Sequence, residues 1–369
     1  MNEDDYDAAL DDIETEVSKE YERQIETLVR SIDVARVEQS IQEDRGEVLV
    51  DLIAGAAFLG VMEALRRAFL RGGRVEVSTL SVYMLSQAFG APAASQPSVS
   101  YSFGLTPPDQ AKDRARSFDF DPRRPSADTA IAAQARDLAS AIKDAQRAAV
   151  QLTIQAGQMR GQPTRQTALD LIGRINKATG VRSGGVLGMA AIDAQYVENA
   201  RTQLLSGEVA QMKAYLERTR RDSRFDALVK RAIGEKLANP DAPPIARQDV
   251  DRIVGRYADR LLQSRALSIA KTESTKALNG GRAETYQQLV DQGADPDTIR
   301  KTWKHKGDER VRDSHREMGG QTVRVDQPFV TPRGSRLMFP GDDSLSAPES
   351  ETAGCRCRLT FKIARTKNV

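Results

Sequence analysis

The sequence predicts a mainly α-helical protein with a small C-terminal α+β module, that is, long amphipathic helices followed by a loop-rich domain with short strands. Three observations carry this. Aromatic residues make up only 5% of the chain against 40% apolar and 29% charged, with Ala, Leu, Arg, Asp, Glu and Gln abundant, whereas strands recruit aromatic and β-branched side chains. Apolar residues recur at steps of three and four over long stretches, the period of a helix with one buried face. After Asp297 the texture changes to short β-prone runs among Gly and Pro, and both histidines, both cysteines and the single tryptophan fall in that part. At roughly 100–200 residues per domain, 369 residues call for more than one unit. The pattern divides into an N-terminal helical segment (1–91), a Pro-rich linker or arm (92–125), a helical body (126–296) and the C-terminal module (297–369), with motif-bearing residues starting near 265.

The elements follow in order. Leu10, Ile13, Val17, Tyr21, Ile25, Leu28 and Ile32 alternate with charge along one amphipathic helix. Val48 to Leu70 reads as a second helix, apolar nearly all round and stopped by Gly72-Gly73. Six prolines between 92 and 125 block regular structure there. Ser126 is placed to cap a helix running to about Gly157; Thr164 is placed to cap the next, which Gly180 closes. Ile192 to Val290 is helical almost throughout, divided by Gly207 and by Pro240, Pro243 and Pro244, with Gly280-Gly281 expected to kink or divide the last helix. Beyond it lie three β-like runs, Ile299 to His305, Thr322 to Val325 and Arg358 to Ile363, and one short helix from about Glu309 to Met318.

Charge and composition exclude several classes. The net charge is +2, but residues 1–20 hold nine acids against Lys19, so the N-terminal end is acidic and the C-terminal seventy residues basic. Such a gradient reads as solvated surface, or as orientation between a basic neighbour and nucleic acid. Two cysteines one residue apart cannot staple a secreted fold, and a reducing cytoplasm is expected. The acidic start lacks the positive and apolar segments of a signal peptide, and the most apolar stretch, between Asp51 and Glu63, is shorter than the ~20 residues of a membrane span. No GxxxxGK[ST] or GxGxxG is present. The basic stretch Arg218 to Arg224, with Arg160, Arg165, Arg174, Lys177 and Arg182, reads as solvated helix faces or as phosphate contacts. Asp342-Asp343 after Pro340-Gly341 reads as a solvated turn or a cation site.

The densest chemistry is Asp308 to Gly320. On a helix there, Asp308, Arg312 and His315 share roughly one face. Cys355 and Cys357, at i and i+2, point to one side of a strand. If helix and strand pack, His315 and the two thiolates can surround zinc, with His305 or a carboxylate as fourth ligand. The spacing matches none of the usual zinc-finger frames. The other readings are two buried thiols beside a hydrogen-bonded histidine, a disulfide, disfavoured by the tight ring, and a Cys-His nucleophile pair. An enzymatic alternative, a nuclease or transferase, uses His315 with Arg312 and Glu273. A further alternative is a sequence-independent DNA-binding accessory protein.

Five short elements occur in one order: Ala270, Thr272, Glu273, Asn279 and Gly280; Lys301 and Trp303; Asp308, Arg310, Arg312, His315 and Gly320; Pro340 and Gly341; Cys355, Arg356 and Cys357. Over about 90 residues these resemble the head-morphogenesis domain of tailed bacteriophages, the Mu F-like minor head protein family. Lys271 replaces the family's usual Arg, keeping charge but losing bidentate geometry. Counting helical texture upstream, the resemblance covers about 190–369. It implies a minor structural protein of the virion that assists head morphogenesis and DNA packaging or ejection, inside the head near the portal after assembly in the host cytoplasm; architecture rather than catalysis is expected of it. Its implied partners are the portal protein and the major capsid or scaffolding protein, with nonspecific contact to packaged DNA and no membrane. The chain ends shortly after the last strand, so no C-terminal toxin domain of the kind some relatives carry is expected. The motif residues are expected to tie a loop-rich module together, through charge-assisted hydrogen bonds or a structural zinc at His315, Cys355 and Cys357.

Overall fold

The computed structural model describes residues 3–43, 58–80, 84, 88, 118–175, 180 and 182–364. The first part of the helix expected from Val48, most of the Pro-rich stretch and Lys177 lie outside them. The described residues form eleven α-helices and seven short strands, as the sequence predicts for a mainly α chain with a small C-terminal α+β module.

The chain divides into two compact units. One comprises residues 18–61 and 136–267. It holds the C-terminal part of α1 (Glu3–Ser31), α2 (Val34–Gln42), most of α4 (Pro125–Met159), α5 (Thr164–Ile172), α6 (Ala191–Leu205), α7 (Val209–Leu216), α8 (Asp226–Ala238) and the first part of α9 (Arg247–Asp291). A two-stranded ribbon, β1 (Arg174–Ile175) with β2 (Arg182–Ser183), joins α5 to the loop before α6. Tyr21, Leu204, Met212, Tyr215, Val250 and Ile253 are in its core. Its interior also holds an ion network. Arg201 donates to Asp170 at 2.8 Å and to Asp251 at 2.6 Å, and Arg174 donates to Asp170 at 2.7 Å. Arg160 pairs with Glu198 beside them. Arg160 and Arg174, read from sequence as solvated or phosphate-facing, are thus engaged with buried carboxylates, because charges withdrawn from water need partners.

The other unit comprises residues 1–17, 62–135 and 268–369. It contains most of α3 (Leu59–Thr79), the C-terminal part of α9, and a three-stranded antiparallel sheet ordered β4 (Thr322–Arg324), β3 (Ile299–Lys304), β7 (Arg358–Ile363). Ile299, Lys301 and Trp303 alternate onto the buried face of β3, and Trp303 is opposite Leu359 of β7. Helix α10 (Asp313–Glu317), the hairpin β5 (Phe329–Val330)–β6 (Arg336–Leu337) and α11 (Glu349–Thr352) complete the module. Trp303, Phe329, Leu337, Met318, Leu359 and both cysteines make its core.

Several local expectations are corrected. Gly72-Gly73 does not end α3, and Gly280-Gly281 neither kinks nor divides α9; both helices run through. The pairs instead let the two backbones approach. A Cβ on Gly72 falls 2.2 Å from the Leu278 carbonyl oxygen, and one on Gly281 falls 1.9 Å from that of Phe69. Thr285 then donates its hydroxyl to the Gly73 and Gly281 carbonyls. Ser126 is inside α4, which begins at Pro125, a residue preorganised for the first helical position; its hydroxyl bonds Glu284 at 2.6 Å instead of capping. Thr164 is the first residue of α5, not its cap, and Gly173 rather than Gly180 follows its last turn. The helix expected over Glu309 to Met318 starts only at Asp313. Before it, Asp308 accepts from the Arg310 amide and holds a turn, which Ser/Asp-type side chains favour over helix.

Candidate functional site

Helix α9 positions the C-terminal segment through one stripe of side chains. Thr272 accepts the Gly354 amide at 2.9 Å, Thr275 donates to the Cys355 carbonyl at 2.7 Å, and Asn279 donates to the Cys357 carbonyl while accepting the Leu359 amide. Residues three and four apart share a helix face, so this spacing reads an extended chain running along the helix. The same Asn279 amide donates to the Tyr6 hydroxyl at 2.9 Å, and Tyr6 donates to the Cys357 carbonyl. Arg282, one turn on, stacks over the Tyr6 ring and pairs with Glu76. Burial pushes the Tyr6 phenol well up, so it stays protonated and able to donate.

The segment so held carries Cys355 and Cys357. They precede β7 rather than sitting within a strand, yet both side chains turn to one side, toward α10. The Nδ1 atom of His315 is 3.6 Å from Cys355 Sγ and 3.5 Å from Cys357 Sγ. The three ligand atoms all lie within 4.8 Å of one another, and the three residues are buried. The opposite ring nitrogen, Nε2, faces Glu351 Oε2 at 3.3 Å. That oxygen also accepts the Ser314 hydroxyl at 2.8 Å. Trp303 meets the His315 ring edge-on at 5.1 Å between centroids, closing the apolar side.

The thiols titrate as a pair. A hydrogen bond from Cys357 and then the His315 ring hold the Cys355 thiol well below its ordinary value, against the opposing effect of burial. Cys357 is pushed up, first by that same hydrogen bond and then by burial. One of the two sulfurs is therefore the acceptor of the cluster, and it also receives the Cys357 amide at 3.5 Å.

Around this centre the other motif residues act as clamps. Arg356 donates from a single nitrogen, Nη2, to both carboxylate oxygens of Asp308 at 2.7 and 2.5 Å, and the guanidinium holds that carboxyl below the usual range. Arg312 donates to the Ala353 carbonyl. Asp308 and Arg312 thus converge on the segment 353–356 from a turn and a helix N-terminus, not from one helical face. Arg310 is exposed and contributes its amide to the Asp308 turn. Gly320 (φ 87°) reverses the chain into β4 while its amide donates to the Trp303 carbonyl. Gly341 is doubly specified: φ is 87°, and a Cβ would be 3.1 Å from Lys276 Cα. After Pro340-Gly341, Asp342 is not solvated as expected. It is buried and accepts the Met338 and Ser344 amides, while Asp343 pairs with Lys276. Lys301 donates to the Met338 carbonyl at 2.9 Å, and burial pushes it down to about 8.

The structure brings together His315, Cys355 and Cys357. His305 is not in that group; its Nδ1 accepts the Gly307 amide. Glu273 accepts from Gln134 at 2.9 Å. Sequence reasoning missed Glu351, Ser314, Thr275 and Tyr6. Thr275 had a signal, its helical spacing from Thr272 and Asn279; Tyr6, 351 residues from Cys357, had none.

Residues 245–360 match the family model described as Phage Mu protein F like protein. No curated protein and no solved structure matches the chain. Among the described residues, no helix is long and apolar enough to cross a membrane.

Proposed function

We propose, from the Mu F-like character of residues 245–360, that this chain is a minor structural protein of a tailed-phage head, assembled in the host cytoplasm and retained inside the head near the portal. Its partners in this reading are the portal protein and the major capsid or scaffolding protein. The observation that carries the noncatalytic part is burial: His315 and Cys355 are each 1% exposed and Cys357 2%. A histidine and thiols sealed behind Trp303, Glu351 and α9 do not meet a macromolecular substrate, whereas catalytic groups must reach the reacting atoms. The motif residues fix backbone instead: Asn279, Asp308, Arg312 and Thr275 each hold one stretch of residues 353–359.

Contact with packaged DNA is a secondary part of the proposal. Arg224 and Arg252 are 68% and 67% exposed and Arg256 and Arg260 about half exposed; these four guanidinium groups share the three carboxylates of Asp222, Asp249 and Asp259. Excess exposed guanidinium suits phosphate contact whose affinity falls steeply with salt.

Quantitative mass spectrometry of purified heads tests the reading. The expected result is this polypeptide in DNA-filled particles at low copy relative to the major capsid protein. Its absence from particles, or a folded His315→Ala variant that loses a measurable reaction, overturns it.

A further inference from the structure

We propose that His315 Nδ1 and the Sγ atoms of Cys355 and Cys357 form a Zn²⁺ site that Glu351 orients from behind the histidine. This is independent of where the protein sits in a virion.

Geometry is the first argument. Tetrahedral zinc with Zn–S of about 2.3 Å and Zn–N of about 2.0–2.1 Å sets each N···S edge near 3.6 Å. The two N···S separations are 3.6 and 3.5 Å. A thiol–imidazole hydrogen bond has a similar length, so the number of bonds decides. Neutral imidazole offers one lone pair, yet both sulfurs address the same nitrogen. Without a metal the ring can bond one sulfur only, and the other is left to bond its neighbouring sulfur; one metal ion meets all three converging atoms directly.

The far side of the ring is the second argument. Nε2 is buried, has no hydrogen bond of good geometry, and is 3.3 Å from Glu351 Oε2. Metal-bound histidines donate their remaining N–H to a carboxylate, which fixes the tautomer and raises the basicity of the ligating nitrogen. Glu351 is itself buried, and Ser314 fixes its Oε2. The carboxylate is therefore placed to hold the ring from behind with Nδ1 aimed at the sulfurs.

Charge balance is the third. Two bare thiolates in a pocket that is 1–2% exposed carry a heavy desolvation penalty. Zn²⁺ with two thiolates and neutral imidazole has no net charge, and soft sulfur with imidazole is a donor set that zinc accepts. Among the described residues the protein supplies three ligands.

The test uses the full-length chain, stripped with a chelator under reducing conditions and then titrated separately with Zn²⁺ and Co²⁺. The expected result is about one equivalent of zinc per chain, with tight Co²⁺ binding that shows thiolate charge-transfer absorption and the visible bands of a tetrahedral ion. Zinc should also shield both thiols from alkylation. Cys355→Ser, Cys357→Ser and His315→Gln should each abolish the cobalt spectrum, and Glu351→Gln should keep it with affinity lowered about 10–100-fold. Should the ligand variants fail to fold, the stripped wild-type chain decides by itself. Stripped protein that keeps its helical circular dichroism and takes up neither metal overturns the proposal in favour of a dry hydrogen-bonded thiol cluster. Uptake that survives both cysteine substitutions overturns it equally.

Discussion

Replacing Gly281 by alanine separates close backbone packing from helix propensity, because the two predict opposite signs. Within a helix, Gly→Ala is stabilising by about 1 kcal/mol from propensity alone. At Gly281 the new Cβ would stand 1.9 Å from the Phe69 carbonyl oxygen, 2.8 Å from its carbonyl carbon and 3.0 Å from the Gly73 nitrogen. Real Cβ atoms essentially never come under 3.0 Å, so α3 and α9 must part by about an ångström at their crossing. Every obstructing atom is backbone, so no side chain can swing aside, and Thr285 is bonded across the crossing to the Gly73 carbonyl. Overpacking of this kind costs about 1–3 kcal/mol, and the absence of any soft neighbour puts Gly281 at the upper end. The net expectation is destabilisation of about 1–2 kcal/mol, or a midpoint lowered by roughly 2–8 °C at about 2–4 °C per kcal/mol. Gly234, inside α8, is the control, since a Cβ added there would meet nothing within 4 Å; Gly234→Ala should stabilise by about 0.4–1 kcal/mol. Thermal and urea unfolding of the full chain, followed by circular dichroism, reads both. If Gly281→Ala is neutral or as stabilising as Gly234→Ala, the glycine pairs do not set the helix approach.

Other perturbations follow from the same contacts. Asn279→Ala removes bonds to Tyr6, to the Cys357 carbonyl and to the Leu359 amide, leaving buried polar groups unpaired; a loss of about 2–4 kcal/mol is expected in urea titrations, and a loss below about 1 kcal/mol would show that the stripe on α9 does not hold the segment. Trp303→Ala empties the centre of the module core, with about 3–5 kcal/mol expected by the same measurement. Asp222→Ala removes the carboxylate that accepts the Arg224 amide and faces three guanidinium groups, so about 1–2 kcal/mol should be lost at neutral pH. Because Asp222 is lowered to about 2 from 3.8, the folded state binds fewer protons than the unfolded; its contribution is present above pH 3.8 and fades as pH falls toward 2, where variant and wild type should converge. Lys301, lowered to about 8 from 10.5 by burial, acts in the opposite sense as a penalty. The unfolded state holds more protons between pH 8 and 10.5, so stability relative to Lys301→Met should rise through that window by up to about 3 kcal/mol, and a flat difference would count against a buried ammonium.

Much of the architecture was legible because it rests on local rules. The three-and-four spacing of Leu10, Ile13, Val17 and Tyr21 predicts the buried face of α1, and all four are buried. The β-prone run from Ile299 appears as β3, and that from Arg358 as β7, because alternation and β propensity are properties of short windows. The i, i+2 spacing of Cys355 and Cys357 placed both sulfurs on one side even without a strand. Glycine was the recurrent error. The symbols that mark a helix stop also mark a place where two helices touch, and only a partner backbone distinguishes them; Gly72 and Gly281 have such partners in Leu278 and Phe69.

The sequence by itself determined the helical class, the identity of the motif residues and the chemistry that a histidine and two thiols can offer. The tertiary structure decided which groups meet: that both sulfurs address a single nitrogen of His315, that Glu351 stands behind the ring, and that Tyr6 reaches across from the first helix to Cys357. Periodicity along a chain reports which face of an element is buried. What that face is buried against depends on long-range closure, and no spacing within a window of a few residues encodes it.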